Sequence, residues 1–296
     1  MEHLILESSY AKRLFKKRIG NANHLLITIL VGLDAIEAGE TTKTTKFNTS
    51  WNPKSKWQSA QRSSRFALNA ALSWVIDNLD MYFILAHRKP TIIESEELFK
   101  NISGAGQSVS QKMDTYTLAI LKTDDSDILK YASLVALGIQ WRNNTTHFDA
   151  DNKLEKRYRE TLCDKRNSKW YEDSFQGLSI TDSIESFNKG LPPSFKEVAA
   201  IIRATHVYVD KLDHFLLSTV NVKRIAKETI QKHYSDPKKK KGHVLNYNVA
   251  RKCSMAKMIL LSYGFSETDE KYGNTVFELD PQVVDKYLHD AIEKKQ

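Results

Sequence analysis

The sequence predicts a mainly α fold, a helical bundle followed by a small C-terminal α(+β) module. Apolar residues recur at helical spacing through several long stretches, whereas strict alternation is scarce. The chain has only 11 glycines and 6 prolines in 296 residues, too few for the frequent turns of a many-stranded fold. Helix punctuation is explicit at Gly190-Leu191-Pro192-Pro193, where Ser194 and Glu197 have the spacing of a capping box. With 41% hydrophobic residues a packed core is available. The bundle is assigned to residues 1–235, and a linker with the small module to 236–296.

Taken in order, residues 10–38 read as a first helix, with Leu14, Ile19, Leu25, Ile29, Leu33 and Ile36 near helical spacing. Its start is basic, with Lys12, Arg13, Lys16, Lys17 and Arg18. The Thr-, Lys- and Asn-rich stretch 39–56 reads as a loop. A second helix runs from about Trp57 to His87 on a stripe of Phe66, Leu72, Val75, Ile76, Leu79 and Phe83, and Pro90 ends it. A short helical patch, Ile93 to Phe99, precedes a Gly- and Ser-rich excursion. Residues 111–121 and 127–141 form a helix pair or one broken helix. After the capping box, Phe195, Val198, Ile201, Ile202, Val209, Leu212 and Leu216 complete the bundle core. The Asp-Pro-Lys-Lys-Lys-Lys-Gly run at 236–242 is a linker or exposed loop. Beyond it a helix over 246–262, a strand over 275–279 and a helix over 281–292 suggest a winged-helix-like module.

Lys and Arg total 44 against 36 Asp and Glu, a net charge of +8. Such an excess favours polyanions such as RNA, although it also serves solubility. Cys163 and Cys253 have neither metal-ligand spacing nor a disulfide framework, as in a reducing cytoplasm. No secretory signal is expected. The longest apolar stretches fall below about 18 residues, so no membrane partner is expected. Gly104-Ala105-Gly106 lacks the lysine and spacing of a phosphate-binding loop. No cofactor and no metal are expected.

The apolar run Ile128 to Trp141 leads directly into Arg142-Asn143-Asn144-Thr145-Thr146-His147. Arginine offers phosphate a rigid fork of donors and keeps its charge. Histidine transfers protons near neutral pH. On a regular helix Arg142 and His147 would lie about 140° apart. Either the motif bridges a helix junction, or two protomers each complete the other. The Asn-Asn-Thr-Thr run has poor helix propensity and favours the junction.

This order of Arg, polar residue and His resembles the HEPN superfamily, in which Arg is followed after four to six residues by His. The resemblance rests on Arg142, Asn143 and His147, and covers residues 10–220. It implies an all-helical bundle that dimerises and a metal-independent endoribonuclease in bacterial anti-phage, abortive-infection or toxin–antitoxin settings. His147 would act as base on the RNA 2′-hydroxyl or as acid on the leaving oxygen. Arg142 would stabilise the charge of the transition state, and Asn143 would orient the His or bond the phosphate. A neutralising or activating partner protein is implied in the same way.

Around this motif, Asp77 and Asp80 on the second helix are supporting candidates that could orient Arg142, or simply face solvent. Arg157 and Arg159 lie in a charged, aromatic stretch (153–175) that could bind RNA, or form a solvated helix with a few buried rings. Lys238, Lys239, Lys240 and Lys241 could grip a nucleic-acid backbone. His206, Asp210, Asp213 and His214 have i, i+4 spacings, more often surface pairs than metal ligands. The alternative function is a non-catalytic nucleic-acid-binding, scaffold or regulatory protein. Its mark would be Arg251, Lys252 and Lys257 exposed along one helix of the C-terminal module.

Overall fold

Among the described residues helix dominates, and the three strands are short. The elements are β1 (His3–Leu6), α1 (Tyr10–Ile19), α2 (Ala22–Glu37), α3 (Lys56–His87), α4 (Glu96–Ile102), α5 (Val109–Leu121) and α6 (Ile128–Thr146). There follow α7 (Lys156–Cys163), α8 (Lys165–Ser174), α9 (Ile180–Asn188), α10 (Phe195–Ser218), α11 (Val222–Ser235), α12 (Val249–Ser262), β2 (Phe265–Thr268), β3 (Val276–Glu278) and α13 (Pro281–Glu293). The computed structural model describes residues 2–41, 43–44, 46–47, 50–102, 106–123, 127–146, 153–236, 238 and 243–293.

Two compact units emerge, one of residues 1–17, 80–123 and 209–296, the other of 18–79 and 124–208. The boundary expected at 235/236 therefore falls inside the first unit. In that unit β1 is the central strand, antiparallel to β2 on one side and β3 on the other. Leu4 and Leu6 point to the core in alternation. The C-terminal residues thus do not close a sheet of their own, as a winged-helix-like module would require. Two short strands alone are marginal, and the N-terminal strand completes them. Helices α11, α12 and α13 pack on one another, with α12 against β2 and α11 against β3. Gly264 stands where α12 turns into β2, at φ 115°, and a Cβ there would overlap the Ser8 carbonyl.

The first unit's core carries a chain of rings: Phe15 meets Tyr82, Tyr82 meets Phe83, and Phe83 stacks on Tyr116 at 5.1 Å. Beside it Asp213 is fully buried. Its carboxylate accepts from the Ser9 amide at 3.0 Å, from the Ser9 hydroxyl, and from the Tyr82 hydroxyl at 3.1 Å. Burial pushes this carboxyl above the ordinary aspartate range, against the opposing pull of the Ser9 donors. Asp210, one turn earlier, pairs with Lys12 and Lys16, each at 3.0 Å. These two carboxylates anchor the N-terminal segment.

In the second unit α6 is buried along most of its apolar run, which explains its lack of a polar stripe. Gly138 lets α10 approach closely, since a Cβ there would come within 2.6 Å of Ile201 Cγ2. Helix α7 packs against α6, α8 and α9. The expected capping box starts α10: the Ser194 amide donates to Glu197 Oε2 at 2.6 Å and the Glu197 amide to Ser194 Oγ at 3.4 Å.

Several elements differ from expectation. The single helix over 10–38 is two, α1 and α2, parted at Gly20-Asn21. Leu25 and Ile29, expected in its buried stripe, are exposed, as is Phe66 on α3. Tyr10–Glu37 is also long and apolar enough to cross a membrane by length and composition, although only 17% of its apolar window is buried.

Candidate active site at the end of helix α6

The site is built where a buried helix emerges from its packing. Trp141 is buried, donates its indole N–H to the Leu191 carbonyl at 3.0 Å and packs edge-on against Phe187. This anchor fixes the last turns of α6. Helix α6 runs through Asn143–Thr146, so the run expected to favour a junction is itself helical. The anchored Trp141 overrides the weak propensity of Asn and Thr. Thr145 Oγ1 donates back to the Arg142 carbonyl at 2.9 Å, a bond that keeps this side chain within the helix.

Arg142, the next residue, is held from two sides. Its Nη2 donates to Asp77 Oδ1 at 2.8 Å, and its Nη1 donates to Asn143 Oδ1 at 3.3 Å. The arginine side chain is 24% exposed and the aspartate 59%. The fork is therefore oriented but within reach of solvent, and a phosphate could displace or join the carboxylate. Asn143 follows about 100° round the helix and uses its oxygen on the guanidinium. Its amide N–H groups are the part suited to a phosphate oxygen. His147 lies outside the described residues.

Of the two aspartates expected near Arg142, only Asp77 is hydrogen-bonded to it. Asp80 accepts from Lys112 Nζ at 2.7 Å. Three positions along α3 carry it to a neighbouring face, where α5 supplies this lysine. The next residue after Asp77, Asn78, is buried and donates to the Trp74 carbonyl at 2.7 Å. Its Oδ1 has no partner among the described residues. Nothing in the sequence pattern singled it out, since a polar residue in an apolar helix gives no spacing signal.

The charged and aromatic stretch resolves towards its structural alternative. Tyr158 and Tyr171 are buried, and Trp170 packs edge-on against Tyr131 with the Lys130 ammonium 4.9 Å from its ring centre. The two tyrosine rings are core, and Trp170 is partly buried. Many of the charges pair locally: Arg166 with Asp164, Lys169 with Asp173, and Lys156 with Glu160. Arg159 is exposed on α7 and Arg157 half-buried. Lys238 is exposed, its amide donating to Asp236 Oδ1 at 2.9 Å. Lys239, Lys240 and Lys241 lie outside the described residues.

On α12 the basic row is occupied. Lys252 pairs with Asp285 at 2.5 Å, and Lys257 bridges Glu2 and Glu267 at 2.7 and 3.0 Å. Arg251 lies over the Tyr247 ring at 3.8 Å. Two of the three cations thus face carboxylates of their own unit, which weakens a DNA-binding role for this helix.

No family model, no curated protein and no solved structure matches the chain.

Proposed function

We propose that this chain is a metal-independent endoribonuclease of the HEPN type, with Arg142, Asn143 and His147 as its catalytic set. The observation that carries the proposal is the Arg142 fork, held by Asp77 and Asn143 and partly exposed, five positions before a histidine. The reaction is transesterification: the RNA 2′-oxygen attacks the adjacent phosphorus and the 5′-oxygen of the next nucleotide leaves. His147 takes the 2′-hydroxyl proton or supplies one to the leaving oxygen. Arg142 stabilises the additional charge on the non-bridging oxygens. Asp77 acts through Arg142 as a positioning residue, and Asn143 orients the histidine or bonds the phosphate. The partner is RNA, met by a homodimer in which a second histidine supplies the opposite proton transfer. The biological setting is bacterial anti-phage defence or a toxin–antitoxin pair, with a protein partner restraining or triggering cleavage.

The test is incubation of purified protein with RNA in a chelator, followed by analysis of the product ends. Products with 2′,3′-cyclic phosphate and 5′-hydroxyl ends support the proposal, together with resistance of a substrate that lacks the 2′-hydroxyl. Cleavage of that deoxy substrate would overturn it.

A further inference from the structure

The most anomalous surface of the molecule is α2. It carries no Asp, Glu, Lys or Arg from Ala22 to Leu33, yet it buries only Ala22 and Leu26. Leu25 is 48% exposed, Ile27 46%, Ile29 50% and Val31 61%. Leaving such a contiguous aliphatic surface in water is unfavourable and marks a site of contact.

The distribution of these residues narrows the occupant. At about 100° per residue, Leu25 and Ile29 lie on one side of the buried Ala22–Leu26 line, and Ile27 and Val31 on the other. The arc between them carries His24, Thr28 and Gly32, and a Cβ at Gly32 would meet open space. A helix–helix seam buries one stripe, whereas a bilayer solvates aliphatic groups on both flanks at once. At 16 residues, the helix is about 24 Å long, which suits lying in a membrane interface. The chain enters it through a basic segment. Within the second unit Arg18 forms no ion pair among the described residues. Cations beside an apolar helix favour anionic headgroups. At the other end Glu37 accepts from Gln61 of α3 at 2.8 Å, and one turn before Gln61 the Trp57 ring is exposed. Tryptophan at the edge of an apolar surface is an interfacial anchor.

We infer that α2 docks on an anionic lipid bilayer, with its exposed aliphatic side chains in the interface and Arg18 at the headgroups. The surface is a binding site for lipid separate from the Arg142 site, and its occupation does not depend on RNA chemistry.

The test is flotation of the full chain with vesicles of phosphatidylcholine and phosphatidylglycerol in equal parts, beside vesicles of phosphatidylcholine alone. The wild type floats with the mixed vesicles and less with the neutral ones. Ile29→Lys combined with Val31→Lys weakens partitioning by roughly tenfold or more. Both substitutions are at exposed positions, and an unchanged circular dichroism spectrum and melting midpoint establish that the variant is folded. Should it fail that check, Arg18→Glu takes its place and reduces the preference for mixed vesicles. Wild type that stays with the soluble fraction overturns the inference, as does a folded variant that floats equally well. A wild-type dimer that the double lysine variant splits, without vesicle binding, would assign the surface to a second copy instead.

Discussion

Replacing Asp213 by alanine should destabilise the first unit by about 2–4 kcal/mol, a figure that follows from its partners. Three donors converge on the carboxylate, the Ser9 amide, the Ser9 hydroxyl and the Tyr82 hydroxyl, and all of these groups are buried. Each donor left without an acceptor costs about 1–3 kcal/mol. Against that sum, the variant no longer desolvates a carboxylate, the cost that raises the Asp213 pKa. Tyr82→Phe removes one donor and leaves two, and should cost about 1 kcal/mol. The two changes share a bond, so they should couple by on the order of 1 kcal/mol. In the Asp213→Ala background, Tyr82→Phe should be nearly neutral, because it then removes an orphaned hydroxyl. Urea unfolding followed by circular dichroism measures all four proteins of the cycle. Asp213→Ala within about 0.5 kcal/mol of wild type would refute the reasoning, as would strict additivity. The pH dependence has a definite sign. A carboxyl raised on folding binds its proton more tightly in the folded state, so its unfavourable contribution appears as pH rises from the ordinary aspartate range through the folded value.

Glu94 shows the opposite sign. Burial works to raise its carboxyl, but Arg224, which donates at 2.6 Å, and the Asn221 amide together hold it below the ordinary range. Its stabilisation is present above the ordinary glutamate range and is lost as pH falls through the folded value. Glu94→Gln should therefore cost about 1 kcal/mol at neutral pH, and nearly nothing in acid, read by melting curves across pH. Gly138→Ala should gain about 1 kcal/mol of helix propensity and lose about 1–3 kcal/mol to overlap with Ile201. The net loss should disappear when Ile201→Ala accompanies it, as a denaturation cycle will show. Asp77→Asn should lower RNA cleavage about tenfold by loosening the Arg142 fork, with RNA binding little changed in a filter assay.

What the sequence reveals, and what it conceals, follows from range. Helices α3, α10, α12 and α13 are legible because their signals are local: apolar periodicity, Pro90, and the Ser194 and Glu197 box. Strand β1 is four residues long and its partners lie more than 250 positions away, so no local pattern announces it. Helix α11 does carry a readable stripe, Val222, Ile225, Ala226, Thr229, Ile230 and Tyr234, masked by its many lysines. At the candidate site Asp77 and Asp80 could be named from the resemblance, which expects an acidic or polar helix residue beside the Arg and His. Asp80 could not be told from it without knowing that Lys112 stands opposite. The Asn-Asn-Thr-Thr run suggested a junction from propensity alone, yet it is helical to Thr146, following the distant anchor of Trp141 on Leu191. The aromatic residues of 153–175 suggested base stacking, but α7 and α8 turn two of the tyrosines inward.

The most direct measurement is cleavage of RNA in EDTA by the purified wild-type protein beside Arg142→Ala and His147→Ala, each checked for an unchanged melting midpoint. The account expects cleavage by the wild type and its loss in both variants. Equal cleavage by all three proteins, or none by any of them even with the partner protein present, would contradict it.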